Sequence, residues 1–383
     1  MRCGRVQKSL CKVGTSTGPG RPDRVDMAVT TEQAMCDGPP MVSWPRLLQP
    51  GDRIGVTAPS SGVPAPLRTR LDFAVAWLRD RGYDVVLGEC LKGSSHVSAP
   101  AQRRADELMA MLLDPQVRAV VPPWGGETAV DLIPLLDLDA LRAAEPTWVV
   151  GFSDISTLLT PLTLVSGWAT LHGTNLMDTP YEQVPTLAHW LDVATGAARP
   201  DGVIRQSAPG VHRASGFDRW EDDPTVTAYT WDGTGSWRRL DGDGPVDASG
   251  RVIGGCLETL GPLGGTRYAD TSALRGPDGD DPLLVYVEAA EADAYSTCRT
   301  LHGLRLNGFF DGATAVMVGR TGAPDGATLT QDDAVLDALG GLGVPIVADV
   351  DCGHVPPHLT MVNGAWGRLV HDGGTCVLEQ RPG

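Results

Sequence analysis

Lysine, and positive charge in general, is scarce in this 383-residue chain. Only three lysines occur, at positions 8, 12 and 92, and arginine supplies the rest of 31 basic residues, which face 47 acidic ones. The formal net charge of −16 repels phosphate backbones, so the composition argues against nucleic acid as a partner.

Long apolar runs, internal repeats and paired cysteines are also missing. No apolar stretch approaches the ~20 residues of a membrane helix, so neither a membrane span nor a membrane partner is expected. The eight cysteines show no CxxC spacing, which argues against a metal site or a disulfide scaffold and favours a reducing cytoplasm. No GKS/T or GxGxxG loop occurs, and we predict no cofactor.

The length and composition fit a globular protein of two domains, because 383 residues exceed one ordinary domain and 42% of them are hydrophobic. The first 26 residues stand apart, with six basic and two acidic side chains but without the apolar core of a secretion signal. We predict that residues 1–45 form a disordered tail outside the working protein. A functional basic arm is the alternative.

Strand and helix patterns alternate over residues 52–167. Short apolar runs, such as Ile54–Ala58, end in loops of small residues, and segments with apolar side chains at helical spacing follow them. This alternation is typical of a parallel β-sheet with helices packed on its faces. We therefore assign residues 46–177 to an N-terminal α/β domain.

The middle of the chain has a different pattern. Residues 178–245 are rich in proline and carry four of the ten tryptophans, which predicts an irregular linker with one short strand at Thr225–Trp231. Residues 246–383 alternate strands and helices again and end in a hairpin that turns at His371–Gly374. They form a second α/β domain that is richer in strand.

Ser153 lies in the sequence GFSD, after the buried strand Trp148–Val150 and before a helix. A serine at such a sharp turn has the geometry of a nucleophile, because the turn pushes its hydroxyl out of the sheet edge. The helix N-terminus also favours negative charge that develops beside it. The alternative is that Ser153 or Asp154 only caps the helix that begins at Ile155.

Gly125 and Gly126 follow the preceding strand of the predicted sheet. The carboxyl ends of parallel strands meet at one edge, where ligands bind. Adjacent glycines let backbone N–H groups approach a ligand closely, which suits an oxyanion hole. A simple tight turn explains the pair equally well.

A serine nucleophile needs a base and a carboxylate that orients the base. His354 follows a strand of the second domain in a Gly-His-Val-Pro-Pro loop, and Glu288 ends the apolar run LLVYV. With Ser153 they would place the site at the interface of the two domains. A carboxylate at a strand end is otherwise often a cap or a solvated residue.

Five motifs follow one another along about residues 46–370: WVVGFSDIS, WATLHGTNL, GRVIGGCLETL, LLVYVE and DCGHVPPHLTMVNG. Together they resemble the LD-carboxypeptidase family of serine peptidases, and within it the microcin C self-immunity branch most closely. The resemblance implies a flavodoxin-like, parallel-sheet N-terminal domain, a swivelling α/β C-terminal domain and a homodimer.

The resemblance also implies roles for individual residues. Ser153 would be the nucleophile, His354 its base and Glu288 the residue that orients the base. The backbone N–H groups of Asp154 and Gly126 would form the oxyanion hole. The implied reaction is cleavage of an amide bond through an acyl-enzyme, as in a serine carboxypeptidase, without a metal ion.

Further residues of the linker and of the two domains are candidates for substrate contacts. They are Gly125, Glu127, Glu258, Trp220 and Trp231, with Trp237 as a further linker tryptophan. Trp124 stands where many family members carry an arginine, and with Glu127 it favours an aromatic or amine-bearing substrate. For the tryptophans, packing of the linker on the domain seam is the alternative.

Two substrate classes stay open at this point. One is a small peptide derived from peptidoglycan, and the other is an aminoacyl- or peptidyl-nucleotide conjugate that is cleaved in self-immunity. A catalytically silent ligand-binding protein on the same fold is the alternative of another class. Loss of the serine, glutamate or histidine would mark such a protein, and all three are present.

Overall fold

The computed structural model describes residues 42–93 and 95–383, which belong to one compact unit. The predicted tail at residues 1–45 lies outside this range except for its last four residues. Val42 is buried, and the backbone N–H of Ser43 donates to the carbonyl of Gly167 over 2.6 Å. The folded part therefore includes residue 42.

The described residues contain sixteen β-strands and eight α-helices, numbered here in chain order. The strands are β1 (Arg53–Val56), β2 (Asp84–Leu87), β3 (Val117–Val120), β4 (Trp148–Gly151), β5 (Thr170–His172), β6 (Ile204–Ser207), β7 (Val211–His212), β8 (Gly233–Thr234), β9 (Arg238–Arg239), β10 (Val246–Cys256), β11 (Leu283–Glu288), β12 (Ala313–Gly319), β13 (Ile346–Val350), β14 (Met361–Asn363), β15 (Trp366–His371) and β16 (Cys376–Arg381). The helices are α1 (Arg68–Arg79), α2 (Ala101–Leu113), α3 (Leu138–Ala143), α4 (Ser156–Leu164), α5 (Trp190–Thr195), α6 (Leu257–Leu263), α7 (Ala294–Leu306) and α8 (Gln331–Leu339). Among the described helices, none combines the length and the hydropathy needed to cross a bilayer.

A six-stranded sheet in the order β14-β5-β4-β3-β1-β2 forms the first half of the molecule. Strands β1 to β5 are parallel, as the alternating pattern predicts. The sixth strand, β14, comes from near the C-terminus and runs antiparallel to β5, with Met361 opposite His172. Two distant parts of the chain therefore complete one sheet.

An eight-stranded sheet in the order β6-β16-β15-β10-β11-β12-β13-β9 forms the second half. Its central strands β10 to β13 are parallel, and β15 and β16 form the predicted terminal hairpin. The mixed α/β fold class is confirmed, while the domain limits at residues 46–177, 178–245 and 246–383 stay predictions.

The segment between the two halves is more regular than expected. It contributes α5 and both edge strands of the second sheet, β6 and β9. The strand predicted at Thr225–Trp231 is wrong, because this stretch is irregular. Its backbone carbonyls accept hydrogen bonds from other parts of the chain instead of from a neighbouring strand. The carbonyl of Val226 accepts one from Arg70 (2.7 Å), and that of Thr227 accepts one from the N–H of Glu182 (2.8 Å).

Helix α4, which follows Ser153, packs against β10 and α6 of the second half. The hydroxyl of Thr160 donates to the carbonyl of Gly254 over 3.2 Å. A Cβ on Gly255 would lie 3.0 Å from the Cβ of Ser156, so a glycine permits this close approach. One hydrophobic core cluster includes residues of both sheets, so the segment after Ser153 is packed into the same core as the second sheet.

Candidate active site

The turn at Ser153 is strained. Its φ of +62° makes Ser153 one of two non-glycine residues with positive φ in the described ranges, the other being Asp349. Such conformations require roughly 1–3 kcal/mol and occur preferentially at functional sites. The residue that caps the short helical turn Ser153–Ile155 is Phe152, whose side chain makes no capping hydrogen bond, so Ser153 is the first residue of the turn rather than its cap.

The carboxylate of Asp154 holds the serine turn in place. Its Oδ2 accepts hydrogen bonds from the hydroxyl of Ser60 (2.5 Å) and the backbone N–H of Ala129 (2.7 Å). Its Oδ1 accepts a third from the hydroxyl of Thr157 (3.1 Å). The buried side chain thus joins the loops after β1 and β3 to the start of α4. The backbone N–H of Asp154 lies at the turn beside Ser153.

The loop of Gly125 and Gly126 lies directly against the serine. A Cβ on Gly125 would be 2.8 Å from Ser153 Oγ and 3.1 Å from the backbone nitrogen of Asp154. Gly126 has a φ of +148°, and a Cβ there would be 2.8 Å from the nitrogen of Ser61. Only glycines fit at these two positions, so the backbone itself forms the wall of the site beside Ser153.

His354 and Glu288 form a hydrogen-bonded pair. His354 Nδ1 lies 2.8 Å from Oε2 of Glu288, whose side chain is fully buried at the end of β11. Because a carboxylate only accepts, Nδ1 carries the proton, and Nε2 of the neutral ring is the basic nitrogen. The second oxygen of Glu288, Oε1, is buried and has no donor among the described residues.

The electrostatic environment of His354 favours its protonated form. Burial alone would lower the pKa of the ring, but the charge and the hydrogen bond of Glu288 raise it above its ordinary value. The carboxylates of Glu258 and Asp178 act in the same direction. The imidazolium that forms when His354 accepts a proton is therefore stabilised.

A second histidine connects the serine turn with the His354 loop. His172 is buried at the end of β5, and its Nε2 donates to the carbonyl of Cys352 over 2.9 Å. The hydroxyl of Ser156 lies 3.2 Å from His172 Nδ1, which is then the accepting nitrogen. Burial lowers the pKa of His172, so this residue acts as a neutral structural link.

Ser153 and His354 line one cavity of about 300 Å³. In the described part of the chain no hydrogen bond joins the two side chains, and such contacts often tighten only with substrate. The other lining residues are Ser61, Trp124, Gly125, Gly126, Phe152, Asn175, Asp178, Phe217 and Trp220. The cavity thus combines aromatic walls with a few polar groups, which is typical of a small-molecule site.

The predicted substrate contacts divide into two groups. Trp220, Gly125 and Gly126 line the cavity. Trp231 is 37% exposed and packs on Tyr229 outside it, with ring centroids 5.3 Å apart. The buried Trp237 donates to Asp351 Oδ2 over 2.8 Å and also lies outside the cavity lining.

The two predicted glutamates do not line the cavity. Glu127 is exposed and does not line the cavity. Glu258 Oε1 accepts three hydrogen bonds, each 2.9 Å long, from the backbone N–H groups of residues 290, 291 and 292. These bonds lower the pKa of Glu258 against the opposing effect of burial, and its role here is to hold the loop after Glu288.

Sequence reasoning missed Asn175, Asp178 and Phe217. Asn175 and Asp178 follow β5, so the rule that strand ends gather at one edge could have found them. Asn175 Oδ1 accepts a hydrogen bond from the backbone N–H of Phe152 (3.3 Å). Phe217 lies in the segment between the two sheets, where no periodic pattern marks its orientation.

Among the described residues, two groups of side chains carry atoms of the kinds that bind metal ions, and within each group these atoms lie close together. Cys256, Glu288 and His354 form one, and their ligand atoms lie within 4.8 Å of one another. Cys298, His302 and Asp337 form the other, on α7 and α8. In the first group the glutamate and histidine already bind each other, and the absence of a metal from the reaction stays a prediction.

Comparisons with known proteins agree with this architecture. Residues 54–173 match the LD-carboxypeptidase N-terminal domain and residues 249–369 the LD-carboxypeptidase C-terminal domain. A Streptomyces coelicolor protein named as a carboxypeptidase is 31% identical over 340 residues, which cover 88% of this chain and 96% of that protein.

The self-immunity branch is also among the relatives. The microcin C7 self-immunity protein MccF of Escherichia coli is 25% identical over 346 residues, which cover 86% of this chain and 93% of MccF. The structure of MccF in complex with glutamyl sulfamoyl guanosine has the same fold, with a TM-score of 0.74 at 22% identity, over 90% of this chain and 99% of MccF.

Proposed function

The chain belongs to the LD-carboxypeptidase family and is a hydrolase of the peptidase class, and from this premise we propose that it cleaves an amide bond with Ser153 as nucleophile. The observation that carries the proposal is the hydrogen bond between Glu288 and His354, which share a site with the strained turn of Ser153. The three residue types are those of a nucleophile, a base and an orienting carboxylate.

The proposed reaction proceeds in two steps. His354 Nε2 takes the proton of Ser153 Oγ as the oxygen attacks the amide carbonyl, and Glu288 stabilises the resulting imidazolium. The imidazolium then gives the proton to the leaving amine, and an activated water releases the acyl group from Ser153. The backbone N–H groups of Asp154 and Gly126 bind the oxyanion in both steps, and each such donor contributes roughly 3–4 kcal/mol.

The cavity supports a substrate with an aromatic part. Trp220, Trp124 and Phe217 line it with Ser153, and these rings suit stacking on a flat group such as a nucleobase. MccF has been solved with glutamyl sulfamoyl guanosine and with aspartyl sulfamoyl adenosine. We therefore propose two substrates to test: an aminoacyl- or peptidyl-nucleotide conjugate and a D-centred peptide.

The decisive experiment compares Ser153→Ala with the unaltered chain on a D-centred tetrapeptide and on aspartyl sulfamoyl adenosine. We expect turnover of at least one compound and a loss of about 10³-fold or more in kcat for the alanine variant. Ser272→Ala, which removes an exposed hydroxyl far from the cavity, is the matched control. Full activity of Ser153→Ala would refute the triad, and tight binding without any turnover would indicate a silent binding protein.

Two further features belong to the proposal. The five cysteines of the described ranges, Cys90, Cys256, Cys298, Cys352 and Cys376, are free thiols, which supports work in a reducing cytoplasm. A homodimer is implied by the family resemblance. Measuring the molar mass of the purified protein in solution tests whether the chain forms this homodimer.

A further inference from the structure

Asp178 is the one acidic side chain among the described residues that line the Ser153 cavity. It lies in the turn after β5, where the backbone N–H of Asp178 donates to the carbonyl of Asn175 over 3.1 Å. Its side chain is only 6% exposed. The carboxylate thus faces the cavity rather than open solvent.

The carboxylate of Asp178 has no partner in the described protein. In the described ranges its only electrostatic influences are burial and the charges of Arg70 and His354, with no hydrogen bond and no ion pair to its oxygens. A buried carboxylate without a partner is unfavourable, and proteins retain such groups mainly where they have a function. Burial accordingly raises the pKa of Asp178 to about 7, despite the attraction of Arg70 and His354.

Arg70, whose charge acts on Asp178 most strongly, forms no ion pair with it in the described ranges, and its Nη2 is buried without a hydrogen-bond partner there. Its guanidinium donates to the carbonyls of Met177 (2.8 Å), Pro224 (3.2 Å) and Val226 (2.7 Å). It also lies over the ring of Trp220, 5.1 Å from the centroid. Arg70 therefore braces the aromatic wall and leaves the charge of Asp178 to whatever fills the cavity.

We propose that Asp178 binds a free ammonium group on the acyl part of the substrate. The ligand chemistry follows from the cavity: a carboxylate shielded from water, next to aromatic rings, and beside a nucleophile that attacks a carbonyl. In an unmodified aminoacyl group, the α-ammonium and the carbonyl carbon are bonded to the same atom, Cα. Acylation of the same nitrogen, as in a peptidyl group, removes its charge.

This inference rests on the proposed function and names the substrate class that the site prefers: aminoacyl conjugates with a free amine rather than N-acylated ones. It also reassigns a prediction. The sequence pointed to Glu127 as the residue that favours an amine-bearing substrate, but Glu127 is exposed outside the cavity, and Asp178 has the required position.

The test compares aspartyl sulfamoyl adenosine with its N-acetyl derivative. In the unaltered chain we expect kcat/KM to favour the free amine by roughly tenfold to a hundredfold, as for hydrogen bonds to charged groups. Asp178→Asn should reduce the preference to about one, mainly by slowing cleavage of the free amine. Glu221→Gln, which removes an exposed carboxylate beside Trp220, should keep the preference.

Binding separates this inference from the proposed function. Affinities of the two compounds for Ser153→Ala, measured by calorimetry, should show the same preference without any turnover. Preference in binding but no turnover by the unaltered chain would overturn the function and support the inference. Equal affinities, no binding of either compound, or a preference that survives in Asp178→Asn would overturn the inference.

Discussion

His354 and Glu288 lie 66 positions apart in the chain, yet their side chains meet over 2.8 Å. The carboxyl ends of the parallel strands β11 and β13 bring them together, because Glu288 ends the first and the His354 loop follows the second. The pair is thus fixed by the second sheet, whereas Ser153 is fixed by the first.

Replacing Glu288 by glutamine should move the acid limb of the pH profile. The charge of Glu288 is the main cause that raises the pKa of His354 against burial, and His354 must be neutral to act as a base. Without that charge the pKa of the ring falls, so the limb of kcat/KM moves to lower pH while the maximum falls by about 10²- to 10⁴-fold.

Glu291→Gln is the matched control for this shift. Glu291 is exposed in the loop three residues further on, so the variant removes one carboxylate and leaves the pair intact. We expect the pH profile of Glu291→Gln to coincide with that of the unaltered chain. An acid limb that stays in place in Glu288→Gln would contradict the proposed role of Glu288.

Adding a single methyl group at Gly125 should block the site. A Cβ there would lie 2.8 Å from Ser153 Oγ, so the serine or the loop must move, and an error of about 1 Å reduces rates by about 10²-fold. Gly322→Ala adds the same group in an exposed loop with nothing within 4 Å and should leave kcat unchanged. Equal kcat values for both alanine variants would argue against a tight oxyanion site.

Asp178→Asn should stabilise the protein at neutral and alkaline pH. Burial raises the pKa of Asp178 to about 7 in the folded chain, so the folded state holds this proton to higher pH than the unfolded state. Stability of the unaltered chain therefore declines as the pH rises from about 4 to 7 and stays lower above it. The asparagine variant lacks this decline.

The expected gain of Asp178→Asn at pH 8 has an upper limit of roughly 4 kcal/mol, at about 1.36 kcal/mol for each pKa unit. Unfolding by denaturant at pH 4 and at pH 8 measures it. At pH 4 the two chains should be similar, because the aspartate is protonated when folded. A difference that is the same at both pH values would show that the carboxylate is not titrating as described.

Two of the four linker tryptophans, Trp220 and Trp231, should differ in their effect on substrate binding. Trp220 forms part of the cavity wall and rests on Arg70, whereas Trp231 lies outside it. We expect Trp220→Ala to raise KM for an aminoacyl nucleoside by about tenfold, in line with the loss of one aromatic contact. Trp231→Ala should change KM by less than about twofold, and the opposite order would place the nucleoside elsewhere.

Local sequence patterns were sufficient to place Ser153 between a strand and a helix and to predict that the strands over residues 52–167 are parallel. Ser153 lies between a buried apolar run and a helical pattern, and both are short-range signals. The pairing of His354 with Glu288 was only suggested by strand ends and followed from the family resemblance, because it depends on the order of the strands in the second sheet, where β12 separates β11 from β13.

Other features of the site depend on contacts that no local pattern encodes. Glu258 looks like a free carboxylate in the sequence, but three backbone N–H groups 32 to 34 positions away converge on it. Trp220 and Trp231 are distinguished by contacts with distant residues: Trp220 lies against Arg70 and donates to the hydroxyl of Tyr181, whereas Trp231 packs on Tyr229. Asp178 was treated as the first residue of the linker, although it belongs to the site.

Strand β14 has a consequence for the biosynthesis of the protein. Because Met361–Asn363 completes the edge of the sheet that carries Ser153, that sheet stays unfinished until residue 363 has left the ribosome. Until then the edge of β5 offers unpaired backbone groups to any neighbouring strand. His354 lies only seven positions before β14, so the proposed base and the last strand of the sheet that carries Ser153 are made almost together, long after Ser153 itself.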